Sequence, residues 1–327
     1  MVPFKTFLLE GGAGGRIPHP YNIAKSGEEL INLFYEAQEY LEKGSGWLKL
    51  DGINMSVRVS DDTFVMDRGS AKDLDIEGIR PETLKDRFPD NPGFVSKATK
   101  LFQILDDSFE SVKPILRKIG MITNPDLLLN VEYIEKKTNV VDYDKNIIAI
   151  HGMREIISQK YNGDKITSRQ IEDVEYNEDY IAELIKKIQP FAEKRGFEVV
   201  GKPEVSIKSK LPNLSKILSQ KISLNGEEKS LESWILGLNE LPKNLITREK
   251  YLEIESGDKK ELSTKEIDSY IIYYGSIKLG QEILNSMTSE FGDLTNQEGV
   301  IIKREDGTTY KITGNFIIKG LDSKFND

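Results

Sequence analysis

Apolar residues recur along this chain with two different periods. Over 26–43 (SGEELINLFYEAQEYLEK), Leu30, Leu33, Phe34, Ala37 and Leu41 fall on one face of a helix. Ser26 stands at its start with Glu29 three positions on, a capping-box pattern, and Gly44 and Gly46 end it. Over 47–67 the period shortens to two, and WLKLDGINMSVRV and TFVMD read as two strands joined by SDD. With regular pairing, Trp47, Lys49 and Asp51 share one face of the first strand. Residues 82–119 read as helices, DLLLNVEYI (126–134) and NIIAIHGM (146–153) as strands, and 178–196 as an amphipathic helix interrupted by Pro190. From about 200 to 290 the chain reads as mostly helical and polar, with turns at Asn225-Gly226 and Gly257-Asp258. Strands return in EGVIIKRE (298–305) and, past an Asp306-Gly307 turn, in TTYKIT (308–313); Asn315 to Lys319 starts a last strand or helix. No internal repeat or low-complexity linker interrupts this order.

Helices interleaved with antiparallel strand pairs predict an α+β fold. A hydrophobic fraction of 38% and a charged fraction of 30% suit a soluble chain with a real core. The absence of cysteine excludes disulfides, zinc ribbons and thiol nucleophiles. No apolar run reaches the roughly 18 residues a membrane span requires. The start of the chain soon becomes glycine-rich (GGAGG, 11–15), so no secretory leader and a cytoplasmic location are expected. Those glycines lack the trailing Gly-Lys-Ser/Thr of a phosphate-binding loop. A net charge of −9 means that contact with nucleic acid needs a local basic surface. Lys202, Lys208, Lys210, Lys216 and Lys221 offer one candidate, and Lys303, Arg304, Lys311 and Lys319 another; each also reads as a solvated face.

The chemistry concentrates at Lys49-Leu50-Asp51-Gly52-Ile53-Asn54. A lysine attacks phosphorus only as the free amine, which burial or neighbouring cations favour. A strand running into Asp-Gly gives that lysine a rigid base and lets the backbone approach a ligand at Gly52. Further charges follow within apolar strands: Arg68 after the next strand, Glu132 in LLLNVEYI, Glu298 and Lys303 in EGVIIK, and Lys311 in YKI. Burying each alone is costly, so together they predict a shared polar pocket on a sheet surface. His151, at a strand end, reads either as a pocket residue or as a structural one.

In this order the segments KLDGIN, DRG, VEYI, EGVIIK and YKI resemble motifs of the covalent nucleotidyltransferase superfamily. With Asn54 five residues after the lysine, the resemblance is to the ATP-dependent RNA ligases of the double-strand-sealing phage type. It implies an ATP-grasp-like nucleotidyltransferase domain with antiparallel sheets around the nucleotide. On the matching positions, Lys49 would attack the α-phosphate of ATP and hold AMP as a phosphoramide. Glu132 would bind the ribose hydroxyls, Asn54 and Arg68 would assist nucleotide or end-phosphate binding, and Asp51 and Gly52 would line the nucleotide site. Glu298 would position Mg2+ or its waters, while Lys303 and Lys311 steer the α-phosphate. The implied partner is RNA with 5′-phosphate and 3′-hydroxyl ends, single-stranded or nicked. Only 14 residues follow Thr313, too few for an appended OB-fold. Residues 1–154 and 291–327 would form the nucleotidyltransferase domain, and 155–290 a mainly helical insertion that helps hold the polynucleotide. A DNA ligase, a nucleotidyltransferase with another acceptor, and a non-catalytic nucleic-acid or assembly protein retaining the fold remain open alternatives. Serine-triad, kinase, P-loop and zinc-enzyme readings lack their motifs.

Overall fold

The computed structural model describes residues 17–67, 78–136, 141, 143–162, 165–208, 210–258 and 261–316. In chain order its elements begin with α1 (Pro20–Ile23), α2 (Gly27–Glu42), β1 (Gly46–Lys49), β2 (Ile53–Ser60), β3 (Thr63–Asp67), α3 (Leu84–Arg87) and α4 (Pro92–Lys118). β4 (Leu127–Ile134), β5 (Asn146–Asn162), β6 (Lys165–Asp173), α5 (Glu178–Glu193), β7 (Phe197–Val200) and β8 (Val205–Ile207) follow. Next come α6 (Leu214–Leu218), β9 (Lys221–Leu224), β10 (Glu227–Ser230), α7 (Leu231–Leu236), α8 (Arg248–Glu255) and α9 (Thr264–Asn285). β11 (Met287–Ser289), β12 (Gly292–Asp293), β13 (Gly299–Lys303) and β14 (Thr309–Ile312) complete them. The fold is α+β, mixing helices with largely antiparallel sheet.

The chain forms two compact units, one holding residues 52–202 and the other 17–51 together with the chain from Pro203 onward. In the first, β3-β2-β4-β5-β6 pair antiparallel in that order and β7 adds to β5 in parallel. Alternation sorts this sheet into two faces. Met55, Val57, Phe64, Met66, Leu129, Val131, Tyr133, Ile148 and Ile150 share a core with the apolar stripes of α4 and α5. Asn54, Ser56, Arg58, Asp67, Asn130 and Glu132 lie on the opposite face by register. The two aspartates of the β2–β3 turn, Asp61 and Asp62, both take positive φ (49° and 57°), the backbone a tight two-residue hairpin requires.

In the second unit, β1-β13-β14 form a small antiparallel sheet, and β12-β11-β8 and β10-β9 form two others. The Ser26 hydroxyl caps α2 by accepting the Glu29 N–H at 3.2 Å, while the Glu29 carboxylate reaches one residue further back, to Lys25 N–H. Asn225 and Gly226 make the β9–β10 turn with φ of 50° and 80°.

Several sequence expectations change here. WLKLDGINMSVRV is not one strand: it breaks after Lys49, and its halves join different sheets. Asp51 therefore lies outside β1 and shares no strand face with Lys49. The compact units divide at 51/52 and 202/203; position 155 falls inside β5, whose long hairpin with β6 is continuous with the first unit's sheet. The stretch 200–290 holds β8, β9 and β10 as well as helices. Arg68, the glycines at 11–15 and Lys319 lie outside the described residues. Among the described residues, no helix is long and apolar enough to cross a membrane.

Candidate functional site

Two clusters of sequence-selected side chains form, one in each unit. In the second unit, β1 pairs antiparallel with β13 so that Lys49 stands opposite Gly299, and β13 pairs with β14 so that Ile301 stands opposite Lys311. Leu48, Val300, Ile302, Tyr310 and Ile312 are buried on one face of this sheet, and alternation sends Lys49 and Lys311 to the other. Glu298, the residue just before β13, meets both. Lys49 Nζ donates to Glu298 Oε2 at 2.8 Å and to the Leu50 carbonyl at 2.8 Å, while Lys311 Nζ lies 3.9 Å from Glu298 Oε1. The side chains of Lys49, Glu298 and Lys311 are 21%, 9% and 12% exposed, so the cluster is largely withdrawn from water while the lysine keeps a path outward. Lys303 occupies the exposed end of β13, four residues beyond Gly299, or about 13 Å along a strand.

Burial pushes the Glu298 carboxyl above its ordinary value of 4.5; Lys49 and Lys311 pull it down, and Asp51 adds to the rise. A carboxyl raised by folding contributes most to stability below the ordinary glutamate value, and that contribution is lost as pH rises through the raised one. Thermal melts from about pH 4 to about pH 8 should therefore show Glu298→Gln gaining on the wild type as pH rises. Parallel stability curves would contradict this assignment.

In the first unit, Asn54 stands opposite Glu132 across β2–β4. Glu132 Oε1 accepts the Gly52 N–H at 3.0 Å, and Glu132 Oε2 lies 2.8 Å from His151 Nε2. The Asn54 amide donates to Asn130 Oδ1 at 2.7 Å. Asn130 was not singled out in the sequence, yet strand alternation two residues before Glu132 already puts it on that face. Gly52 is required by close approach: a Cβ there would sit 2.9 Å from Glu132 Cγ, 2.9 Å from the Tyr133 carbonyl oxygen and 2.5 Å from Ile134 Cγ1. Gly52→Ala is expected to cost about 1–3 kcal/mol in a denaturant melt, the usual price of overpacking. An unchanged midpoint would show that the backbone here yields freely.

The basic candidates are partly engaged in local pairs. Arg304 holds Glu36 through two bonds of 2.7 and 3.0 Å, and Lys208 lies 2.9 Å from Asp293.

No protein-family model matches the chain, and no curated protein does. Among solved structures it is similar to two variants of the RNA ligase of Naegleria gruberi, each with ATP and manganese. Sequence identity is 14% in both cases, with TM-scores of 0.29 and 0.28. The match covers 98% of this chain but 63% and 64% of those chains, so the chain spans less than two thirds of their length.

Among the described residues, no three His, Asp or Glu side chains gather as a metal cage. Glu298 offers one carboxylate between two lysines. Mg2+ commonly takes one or two carboxylates plus substrate phosphates, so a single carboxylate already paired with lysines would need a ligand's own oxygens to complete such a site.

Proposed function

We propose that the chain is an ATP-dependent polynucleotide ligase, with RNA as its substrate, working through a lysyl-AMP intermediate. The observation that carries this reading is the Lys49–Glu298–Lys311 cluster: a partly exposed amine held by a buried carboxylate, with a second cation beside it.

Lys49 Nζ attacks the α-phosphorus of ATP; the N–P bond forms as the bond to the bridging oxygen breaks, and pyrophosphate leaves. Glu298 Oε2, at hydrogen-bond distance from Nζ, orients the amine and can accept its proton. Lys311 faces the negative charge that grows on the phosphoryl oxygens, with Lys303 assigned to the same task. Glu132 binds the ribose hydroxyls, Asn54 and Arg68 assist nucleotide or end-phosphate binding, and Asp51 and Gly52 line the nucleotide site. Magnesium, held through Glu298 or its waters, would supply further positive charge. An oxygen of a 5′-phosphate end then attacks the lysyl-AMP phosphorus and frees Lys49. Attack by a 3′-hydroxyl on the activated end forms the phosphodiester and releases AMP.

The test is incubation with α-labelled ATP or GTP and magnesium, followed by addition of 5′-phosphorylated RNA or DNA, single-stranded or nicked. Covalent label that requires Lys49, followed by joined RNA, is the expected result. Label without joining would point to a nucleotidyltransferase with another acceptor, preferential joining of DNA would replace the RNA assignment, and absence of label would overturn the reading.

A further inference from the structure

His151 is one of two histidines in the chain, and strand pairing singles it out. β4 and β5 run in register until a bulge: Val131 faces Ile150, whereas Asn130 faces Gly152, leaving His151 as the extra residue. A bulge turns a side chain away from the direction that strict alternation would give it. Gly152 permits this one, with φ of 138° and a missing Cβ that would lie 2.6 Å from Tyr176 Oη. The imidazole thereby meets Glu132, with Nε2 2.8 Å from Oε2.

A carboxylate only accepts, so Nε2 carries a proton and donates it to Glu132, which leaves Nδ1 as the ring's other polar atom. That Nδ1 is buried and has no hydrogen-bond partner. A buried polar atom left unsatisfied is a cost, so the ring is not placed to satisfy its own polar groups. What the placement achieves is at the other nitrogen. With Gly52 N–H on Oε1 and His151 on Oε2, each oxygen of Glu132 carries a donor, and the plane of the carboxylate is held.

We propose that His151 is the positioning residue of Glu132 and, by holding that carboxylate in one orientation, sets the discrimination between ribo- and 2′-deoxyribonucleotides. The inference rests on the ligase reading, in which Glu132 binds the ribose hydroxyls. A hydroxyl donor rewards only an acceptor already aimed at it, and a site built for a hydroxyl rejects the analogue lacking one. A Glu132 carboxylate held less firmly on its Oε2 side weakens the ribose contact in ground state and transition state alike, so the signature is weaker nucleotide binding with little change in the saturated rate.

The experiment measures covalent labelling of the full chain with α-labelled ATP and α-labelled 2′-deoxyATP over a range of concentrations. Two variants separate positioning from packing: His151→Gln places an amide N–H near the Nε2 position, and His151→Asn places it near Nδ1. In His151→Asn, half-saturating ATP is expected to rise about tenfold and the ATP preference to fall about tenfold, the loss of one charge-assisted hydrogen bond. His151→Gln should restore most of both. An undiminished preference in His151→Asn overturns the proposal, as does equal loss in both variants accompanied by equal loss of thermal stability. Failure of the wild type to label is a separate result, which removes the ligase reading and this inference with it.

Discussion

Lys49→Ala and Lys49→Arg are both expected to lose covalent labelling by α-labelled ATP, by at least about four orders of magnitude. Alanine removes the nucleophile. Arginine keeps the positive charge and can still pair with Glu298, but a guanidinium is not deprotonated in a protein and cannot attack phosphorus. The arginine variant therefore separates chemistry from electrostatics, because it retains the ion pair now 2.8 Å long. Label on the wild type should be acid-labile, as a phosphorus–nitrogen bond is, and should map to the peptide holding KLDGIN. Equal labelling of either variant would move the nucleophile elsewhere and remove the basis of the ligase reading.

Glu298→Ala should have the second largest effect, and it should register in two measurements. Removing the carboxylate leaves Lys49 and Lys311 without the acid they share. Breaking a buried pair costs about 3–5 kcal/mol; the lysine ends keep some solvent, so about 2–4 kcal/mol is expected in a urea melt. Self-labelling should fall by about two orders of magnitude or more, because the amine loses its orienting partner. Loss of label with unchanged stability would confine Glu298 to the chemical step. Loss of stability with full labelling would make it structural and leave Lys49 without the support described.

Local pattern explains why several of the candidate residues are legible in the sequence. Gly27–Glu42 is helical because its apolar spacing and cap say so within 18 residues. Glu132 in β4 and Lys311 in β14 were legible because a charge in an apolar strand is conspicuous whatever the strand pairs with. His151 reads in the sequence as a histidine at a strand end, whereas it lies at a bulge inside β5, and its contact was not legible. The bulge that aims it depends on the register between β4 and β5, which neither segment encodes alone.

The break in WLKLDGINMSVRV is the clearest case of tertiary control. Its alternation is that of one long strand, yet Gly46–Lys49 pairs with a segment some 250 positions later and Ile53–Ser60 pairs with β3 and β4. Alternation reports which faces are apolar; it does not report the partner strand. The same limit hides the unit boundaries at 51/52 and 202/203, since compactness depends on contacts between distant segments. By itself, the sequence determined the candidate residue types, their order and most of the elements that carry them, because those follow from side-chain chemistry and local period. Only the tertiary structure decided that Glu298 holds Lys49 and that His151 holds Glu132. Those contacts arise from burial and strand register across the chain, which are set by the folded whole.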